Sequence, residues 1–278
     1  MPRIAPPMGE PETPETEASP RGLEVRELAS MEEVTAASEL IDRIWGQPRN
    51  VPPALLRALA THGGEVLGAF EEGLLVGAQV AFVGRTEEEL LLHSHITGVA
   101  PEAQYRGVGH ALKVAQRAWC LDRGIEVVTW TFDPLVARNA YFNLQKLGAE
   151  ADRFHRDFYG EMADAFNRGD RSDRLEVRWQ LRSPRVEEAL GPGLPEPSET
   201  GAAALLGVEN GLPRPDPDAE GTRLLIRVPL DYHGLREADP RAAARWRSAV
   251  GDALEGTIGR GWRATGFLRS GAYVLERR

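Results

Sequence analysis

Residues 23–28 alternate apolar and charged side chains, the period of a strand whose successive side chains lie on opposite faces of a sheet. Most of the other predicted strands are short, largely apolar stretches bounded by turns. Glycine-containing turns separate the second, third and fourth stretches, as in an antiparallel meander. The predicted strands are residues 23–28, 65–70, 74–83, 90–99, 127–132, 153–159 and 175–181.

Between several of these strands, apolar residues recur at helical spacing instead. A capping-box pattern, a proline pair and an Asp-Pro pair mark helix starts, and glycines follow the helix ends. The predicted helices are residues 30–45, 53–63, 110–122 and 134–146. Strands and helices in this order predict an α/β (α+β) fold, with a central, mixed, twisted sheet flanked by helices.

Changes in composition divide the chain into segments. Residues 1–22 are rich in Pro, Glu and Thr and are expected to be a disordered tail, whereas residues 23–182 form the main predicted domain. Prolines and glycines over 183–220 predict a linker, with a short helix as an alternative for 201–208. Residues 221–278 predict a small C-terminal β-α-β-β module. A module of this size buries little apolar surface alone, so we expect it to pack on the main sheet or on another subunit, as in a homodimer.

Charge and composition argue against several classes of partner. The 278-residue chain has a formal net charge of -9, so its field repels nucleic-acid phosphates and anionic lipid, and we expect neither nucleic acid nor membrane as a partner. The single cysteine, Cys120, cannot form an internal disulfide. The chain shows no export signal and no membrane-spanning stretch, so a cytoplasmic location is expected. Histidines and acidic residues lack zinc-ligand spacing, so no metal is expected.

The segment from Gln104 to Gly109, Gln-Tyr-Arg-Gly-Val-Gly, lies between a predicted strand and a predicted helix. Two glycines at such a junction leave several backbone N–H groups directed at one point, in the positive field of a helix N-terminus. This arrangement predicts a pyrophosphate-binding loop. A Rossmann-type loop would have a third glycine where Leu112 stands, and the Gly-Lys-Ser/Thr of a P-loop is absent. A purely structural turn is the remaining alternative.

This motif resembles the signature of the GNAT superfamily of acyl-CoA-dependent N-acyltransferases, Gln/Arg-x-x-Gly-x-Gly/Ala between a fourth strand and a third helix. The resemblance covers residues 23–181 in element order. It implies a GNAT fold, with acetyl-CoA or succinyl-CoA as acyl donor and the Val99 N–H as donor to the oxyanion. The residues that it implies for coenzyme binding are Thr97, Gly98, Val99, Gln104, Tyr105, Arg106, Gly107, Val108, Gly109, His110, Asn139, Phe142 and Asn143.

The resemblance also implies the catalytic groups. Many family members have their general base at the position of His93, and a histidine of near-neutral pKa suits that role. A hydrogen-bonded core histidine is the alternative. The usual general acid is a tyrosine, but Leu144 occupies its position. Tyr159 and Tyr141 are the available substitutes, of which we prefer Tyr159. If neither tyrosine is the acid, water could protonate the thiolate, or the thiolate could leave without a proton because of its low basicity.

Four residues are candidates for acceptor binding. His95 lies two residues after the predicted base, on the same strand. The other three candidates lie at the end of the predicted strand 127–132 and the start of the next helix: Trp130, Asp133 and Arg138. There an Arg would bind a carboxylate and an Asp would bind an ammonium. Such a site suits an α-amino acid. The alternatives are that Asp133 only caps a helix and that Trp130 is core.

The combined pattern is similar to one bacterial branch of the GNAT superfamily. It consists of His-Ser-His at 93–95, the glycine loop, Thr-Trp-Thr-Phe-Asp-Pro-Leu at 129–135 and Asn-Ala-Tyr-Phe-Asn at 139–143. Some members of that branch are associated with N-acylamino-acid racemases and with N-succinylation. The resemblance therefore implies a small-molecule amine acceptor, a free amino acid, attacked directly in a ternary complex. A protein amine as acceptor, or an acyl-CoA-binding sensor without catalysis, are the alternatives.

Overall fold

The computed structural model describes residues 22–48, 51–87, 89–162, 164 and 169–277. The predicted tail at 1–22 lies outside these residues, apart from Gly22. The strands, in chain order, are β1 Leu23–Glu27, β2 Glu65–Glu71, β3 Leu74–Arg85, β4 Leu90–Val99, β5 Val127–Phe132, β6 Glu150–His155, β7 Arg174–Gln180, β8 Ala203–Glu209, β9 Leu212–Pro215, β10 Arg223–Arg227, β11 Trp262–Leu268 and β12 Ala272–Arg277.

Helices connect many of these strands. They are α1 Met31–Trp45, α2 Pro53–Thr61, α3 Val108–Asp122, α4 Ala137–Tyr141, α5 Pro184–Leu190, α6 Tyr232–Ala238 and α7 Pro240–Thr257. A short 3-10 turn, Pro101–Ala103, precedes the glycine loop, and a π-helical turn, Phe142–Lys146, continues α4. The capping box at the start of α1 is formed, with both Ser30 and Glu33 bonded to backbone N–H groups.

The described strands form one sheet in the order β1-β2-β3-β4-β5-β7-β6-β11-β12-β10-β8-β9. Only two neighbouring pairs, β4 with β5 and β10 with β8, are parallel. The predicted mixed α/β sheet flanked by helices is therefore confirmed. The sheet extends through β11 beside β6 into the C-terminal module, so that this module packs on the main sheet within the same chain.

Helices cover the two faces of the sheet unequally. On one face, α3, α4 and α7 enclose the larger apolar core, which includes Trp130, Trp179 and Phe267. On the other face, α1 and α2 pack on β2 and β3, and α1 also reaches β4. Further along that second face, β5 and β7 carry polar side chains such as Thr131 and Glu176. This uneven cover leaves a polar region next to the helix-covered part.

The region between 183 and 220 contains regular structure that its prolines did not predict. Helix α5 begins at Pro184, where the side chain of Ser183 accepts a hydrogen bond from Val186 N–H. The short helix expected at 201–208 is wrong, because these residues form most of β8, which pairs with β10. Residues 201–208 contain only Gly, Ala, Leu and Val, with no alternation of apolar and polar side chains, so the strand is identified only by its partners.

A buried arginine joins α7 to the end of β5. Arg247, 5% exposed, donates to both carboxylate oxygens of Asp133, at 2.8 and 2.7 Å. It also donates to Asp170, at 2.7 Å, and Tyr232 donates to the same carboxylate at 2.8 Å. Nearby, Tyr273 of β12 donates to the Pro134 carbonyl at 2.7 Å. The C-terminal module thus holds the corner between β5 and α4.

Replacing Arg247 by Met is expected to lower the free energy of unfolding by about 3–5 kcal/mol, because Asp133 and Asp170 would remain buried without their cation. Urea unfolding followed by circular dichroism measures this loss. Arg245→Met, an exposed position on the same helix, is the control and should change stability by less than about 0.5 kcal/mol. Equal effects of the two substitutions would contradict a structural role for the Arg247 network.

Candidate active site

Strands β4 and β5 run side by side for only a short distance. Their register pairs Leu92 with Val128 and His93 with Thr129, and no later pair joins them in the described part of the chain. Strand β4 continues to Val99 with β3 as its partner. A gap therefore opens between β4 and β5 beyond His93, on the side nearest the glycine loop.

A β-bulge lies where the two strands separate. Val80 of β3 pairs with Ile96, and the next residue, Ala81, pairs with Ser94, so His95 is the extra residue on β4. A bulge bends its strand and increases the local twist, which turns the remainder of β4 away from β5. The rings of His93 and His95 still lie near each other, with centroids 6.5 Å apart.

The backbone of β4 presents polar groups to this gap. Ala100 N–H donates to Val76 O at 2.8 Å, and these two residues lie opposite each other. Since bonding to a neighbour alternates along an antiparallel strand, the N–H groups of Thr97 and Val99 point away from β3. The Val99 carbonyl is accordingly reached by the Gln104 side chain, at 3.4 Å. The predicted oxyanion donor is thus directed to the side on which β5 has diverged.

The glycine loop has the backbone conformation that an anion site requires. Gly107, with φ 76°, is the N-cap of α3, and Tyr105 also has a positive φ of 64°. The first helical hydrogen bond is donated by Ala111 N–H to Gly107 O. Helix geometry leaves the N–H groups of Val108 and Gly109 without an intrahelical acceptor. These groups lie beside the gap, at the positive end of α3.

Two arginines flank this loop. Arg106 of the loop itself forms an ion pair with Glu71 at 2.9 Å. Arg138, predicted as an acceptor residue, donates to the Tyr105 hydroxyl at 3.0 Å, and its guanidinium lies 5.5 Å from the centre of that ring. The structure therefore places Arg138 at the predicted phosphate site, with its charge close to the loop.

The predicted base and acid lie on one face of the sheet. His93 Nδ1 is 3.1 Å from the Thr129 hydroxyl, and the Tyr159 hydroxyl is 3.3 Å from that of Thr131. The two threonines are two residues apart on β5, so both project from the same face. Burial lowers the pKa of His93 below its ordinary value of 6.5, and the nearby charge of His95 acts in the same direction. His93 is therefore neutral at pH 7 and able to accept a proton.

A carboxylate that sequence reasoning missed lies on the same face. Glu176 of β7 is the cross-strand partner of Thr131, next to the hydroxyl of Tyr159. Its carboxylate lies 2.7 Å from His155 Nε2 and 3.7 Å from Arg153 on β6. The alternation of β7 indicated that Glu176 faces away from the core, but only the strand order reveals that it lies near His93.

Other predicted residues are engaged elsewhere. Trp130 packs edge-on against Trp179 in the core, on the face opposite His93, and donates to the buried amide of Asn143 at 3.2 Å. Asp133 accepts both from Arg247 and from the Leu135 N–H, at 2.9 Å. Neither Trp130 nor Asp133 therefore offers a free group to an acceptor. The roles expected of them assumed an exposed strand end, which the C-terminal module covers.

The remaining predicted residues lie on α4 and its π-helical turn. Asn139 and Phe142 are half-buried, and Leu144 is completely buried. Tyr141, the second candidate acid, lies under Arg269 of the C-terminal module, which is 4.7 Å from the centre of its ring. Burial raises the pKa of Tyr141. This places the Tyr141 hydroxyl with the C-terminal module, and Tyr159 is the candidate acid that lies with His93.

A buried polar network lies on the opposite face, under the gap. Lys113 of α3 donates to Ser94 at 2.8 Å and to Gln116 at 3.0 Å. Gln116 and Gln79 both donate to one oxygen of Glu65, at 2.6 and 3.1 Å. Burial raises the pKa of Glu65 to about 7. The polar residues of this network were not recognised in the sequence, because their helical and strand positions read as solvent-facing.

Neighbouring groups limit the other chemistry available. Cys120 is buried, and burial raises the pKa of its thiol to about 12, so it is a poor nucleophile. Among the described residues, no group of three or more histidine, cysteine or acidic side chains is arranged to hold a metal ion. None of the helices in the described ranges is both long and apolar enough to span a bilayer.

No protein-family model matches the chain, and no curated protein matches its sequence. Some solved structures are similar to part of it. The ribosomal-protein-S18-alanine N-acetyltransferase from Escherichia coli is 14% identical, with a TM-score of 0.47 over 58% of this chain and 95% of that chain. A GNAT family acetyltransferase from Elizabethkingia anophelis with acetyl-CoA bound is 14% identical, with a TM-score of 0.45 over 57% and 98%. An aminoglycoside acetyltransferase from an uncultured soil metagenomic sample is 20% identical, with a TM-score of 0.38 over 41% and 79%. Similarity at this level does not assign a function.

Gly98, expected next to the coenzyme, also has a packing role. A Cβ atom at this position would lie 2.7 Å from the Trp45 ring and 2.9 Å from Ile44, both on α1. Gly98→Ala is therefore expected to lower the free energy of unfolding by about 1–3 kcal/mol. Chemical denaturation measures this change. Gly256→Ala on α7, where a Cβ meets nothing within 4 Å, is the control and should be neutral or stabilising. Unchanged stability of Gly98→Ala would show that α1 does not pack this closely.

Proposed function

We propose that this protein is a GNAT-type acyl-CoA N-acyltransferase that transfers an acetyl or succinyl group to the primary amine of a free amino acid. The observation that carries the proposal is the gap between β4 and β5, with the glycine loop at one end and His93 at the other. A diphosphate at the loop and an extended arm along β4 would place a thioester beside His93. No other pair of neighbouring strands combines these features in the described residues.

The groups around the gap match the needs of a bound acyl-CoA. The N–H groups at the start of α3 suit a diphosphate, and Arg138 adds a positive charge beside them. The Thr97 and Val99 backbone groups that point away from β3 suit the amides of an extended arm. The Val99 N–H, predicted as the oxyanion donor, lies six residues beyond His93 on β4, roughly 20 Å along an extended strand. It therefore suits an amide of the arm better than a carbonyl that reacts beside His93.

The opposite end of the gap supplies the base. An amino acid arrives at pH 7 as an ammonium ion, and its nitrogen cannot attack until it loses a proton. His93 is neutral under these conditions and faces the side from which the acceptor would approach. The Thr129 hydroxyl at its Nδ1 orients the ring, so that Nε2 is the nitrogen left for the acceptor.

The polar surface next to His93 supports an amino-acid acceptor. Glu176 is a half-buried carboxylate beside Thr131 and suits an ammonium group. Arg174, two residues earlier on β7, projects from the same face, but it is only 6% exposed and donates to the Asp173 carbonyl at 2.9 Å. The match to an α-amino acid therefore rests on the Glu176 carboxylate and the ammonium group.

The activity is tested by thiol release from acetyl-CoA and succinyl-CoA with a panel of free amino acids. His93→Ala is expected to lower kcat by about 10²–10⁴-fold. His62→Ala, at an exposed position after α2, is the control. On the acidic side of the pH profile, the wild-type activity should fall only below pH 6.5, because burial holds the pKa of His93 below this value.

Two results would contradict this proposal. An unchanged kcat in His93→Ala would remove its role as the base. CoA binding without thiol release for any amine, including peptide amines, would favour an acyl-CoA-binding sensor.

Glu176→Gln is expected to raise KM for the amino-acid acceptor by about 10-fold or more, with a smaller effect on kcat, because a charge-assisted hydrogen bond to the ammonium is lost. Steady-state kinetics with varied acceptor measures this separation. The control is Glu150→Gln on β6, where the carboxylate is instead paired with Arg263 of β11 at 2.8 Å. If both variants show the same KM, Glu176 does not contact the acceptor.

A further inference from the structure

Lysine is rare in this chain. Only two of its 33 basic residues, Lys113 and Lys146, are lysines. Lys146 is exposed, whereas Lys113 is 3% exposed in the middle of α3. Arginine retains its proton in proteins, but a buried lysine can lose it. The one buried lysine among the described residues can therefore lose its proton, which an arginine at the same position would retain.

Lys113 lies under the point where β4 and β5 separate. Its Nζ atom donates to Ser94 of β4 at 2.8 Å and lies 4.1 Å from the centre of the Trp130 ring on β5. Ser94 directly precedes the bulged residue His95. Lys113 therefore contacts both strands that border the gap, on the face opposite His93.

Many arginines of this chain are paired with a carboxylate, but no carboxylate among the described residues lies within 4.0 Å of Lys113 Nζ. Glu65 is connected to it only through Gln116. The titratable groups around the ammonium are Glu65 on β2, Cys120 on α3 and His93 on β4. Burial lowers the pKa of Lys113 to about 7, so it gives up or regains a proton near neutral pH.

The two faces of the sheet give the leaving group a direction. The coenzyme would enter from the N-terminus of α3, and the acceptor from the face that carries His93. Attack from the His93 face would bend the sulfur atom, together with the other substituents of the carbonyl carbon, toward the α3 face. Tyr159 lies with the acceptor, next to Thr131, so its hydroxyl is on the side of the attacking nitrogen. Lys113 is the basic group beneath the gap, and the carboxyl group of Glu65 is connected to it only through Gln116.

We propose that Lys113 is the proton donor to the departing thiolate of coenzyme A, a role that rests on the proposed acyltransferase function. The nitrogen of the acceptor, after giving one proton to His93, attacks the thioester carbon and forms the C–N bond. The C–S bond breaks with its electron pair on sulfur, and Lys113 Nζ–H supplies the proton that makes the thiol. The amide nitrogen loses a second proton to solvent, His93 passes the first proton to solvent, and Lys113 takes one proton back from solvent. Each turnover therefore releases one proton.

The test measures the ionisation of free CoA bound to the full-length protein, from the ultraviolet absorbance of its thiolate as the pH is raised. An ammonium within about 4–6 Å lowers the pKa of a thiol by about 1–3. In the wild type we expect part of the bound thiol to ionise near pH 7, where the ammonium form of Lys113 is still present, and well before the thiol of CoA in solution. Lys113→Met should abolish this early ionisation, while Lys146→Met, the matched control, should keep it.

Kinetics with acetyl-CoA or succinyl-CoA supply a second readout. In the wild type, kcat should fall as the pH rises above about 7, because the ammonium form of Lys113 is lost. Lys113→Met should lower kcat by about 10²-fold or more and remove this fall. Lys146→Met should retain the wild-type kcat and pH profile.

The outcomes separate the two proposals. A folded Lys113→Met variant that binds CoA with the wild-type thiol pKa overturns the role of Lys113 and leaves the acyltransferase activity standing. A wild-type protein that does not bind CoA overturns both. If Lys113→Met does not fold, Glu65→Gln combined with Lys113→Met removes both ionisable groups of the network. In that double variant too, the thiol of bound CoA should ionise as it does in solution, and the thiolate absorbance measures this.

Discussion

The separation of β4 from β5 is the constraint on which the rest of this structure depends. The strands pair only as far as His93 and Thr129, after which the bulge at His95 turns β4 toward the glycine loop. From below, Lys113 contacts both strands, with its ammonium against Ser94 and the Trp130 ring. A sheet that stayed closed here would satisfy the Val99 backbone with β5. Because it opens, the Val99 N–H has no partner strand on that side, while the Val99 carbonyl accepts from the Gln104 side chain.

The two faces of the sheet have different tasks in this arrangement. The face toward α3 has the amides of the helix start and the buried network of Lys113 and Glu65. The other face has His93 and Glu176, in a region that helices leave uncovered after β4. The C-terminal module contributes indirectly, since Arg247 holds the corner at Asp133. Coenzyme and acceptor would therefore approach the same gap from opposite sides.

Several features of the site could be predicted because they are local. The left-handed Gly107 and the helix start behind it require only a few consecutive residues, and glycine is the residue that adopts such a conformation without strain. The strand that carries His93 is recognisable as a largely apolar stretch bounded by turns. Trp130 and Asp133 could not be placed in this way. Their local positions, a strand for Trp130 and a helix start for Asp133, are as predicted. However, Asp133 is paired with Arg247, more than a hundred residues later, and Trp130 is packed in the core against Trp179.

By itself the sequence determined the order of strands and helices up to β7, the left-handed glycine turn before α3 and the strand position of His93, because periodicity and turn chemistry act over short distances. The tertiary structure alone decided the strand pairing of 203–209, the bulge at His95, and the neighbourhood of Glu176 and His93. It also decided that Lys113 is buried while Lys146 is exposed. These properties depend on cross-strand register and on contacts between distant segments, where the energy of burial and pairing overrides local preference.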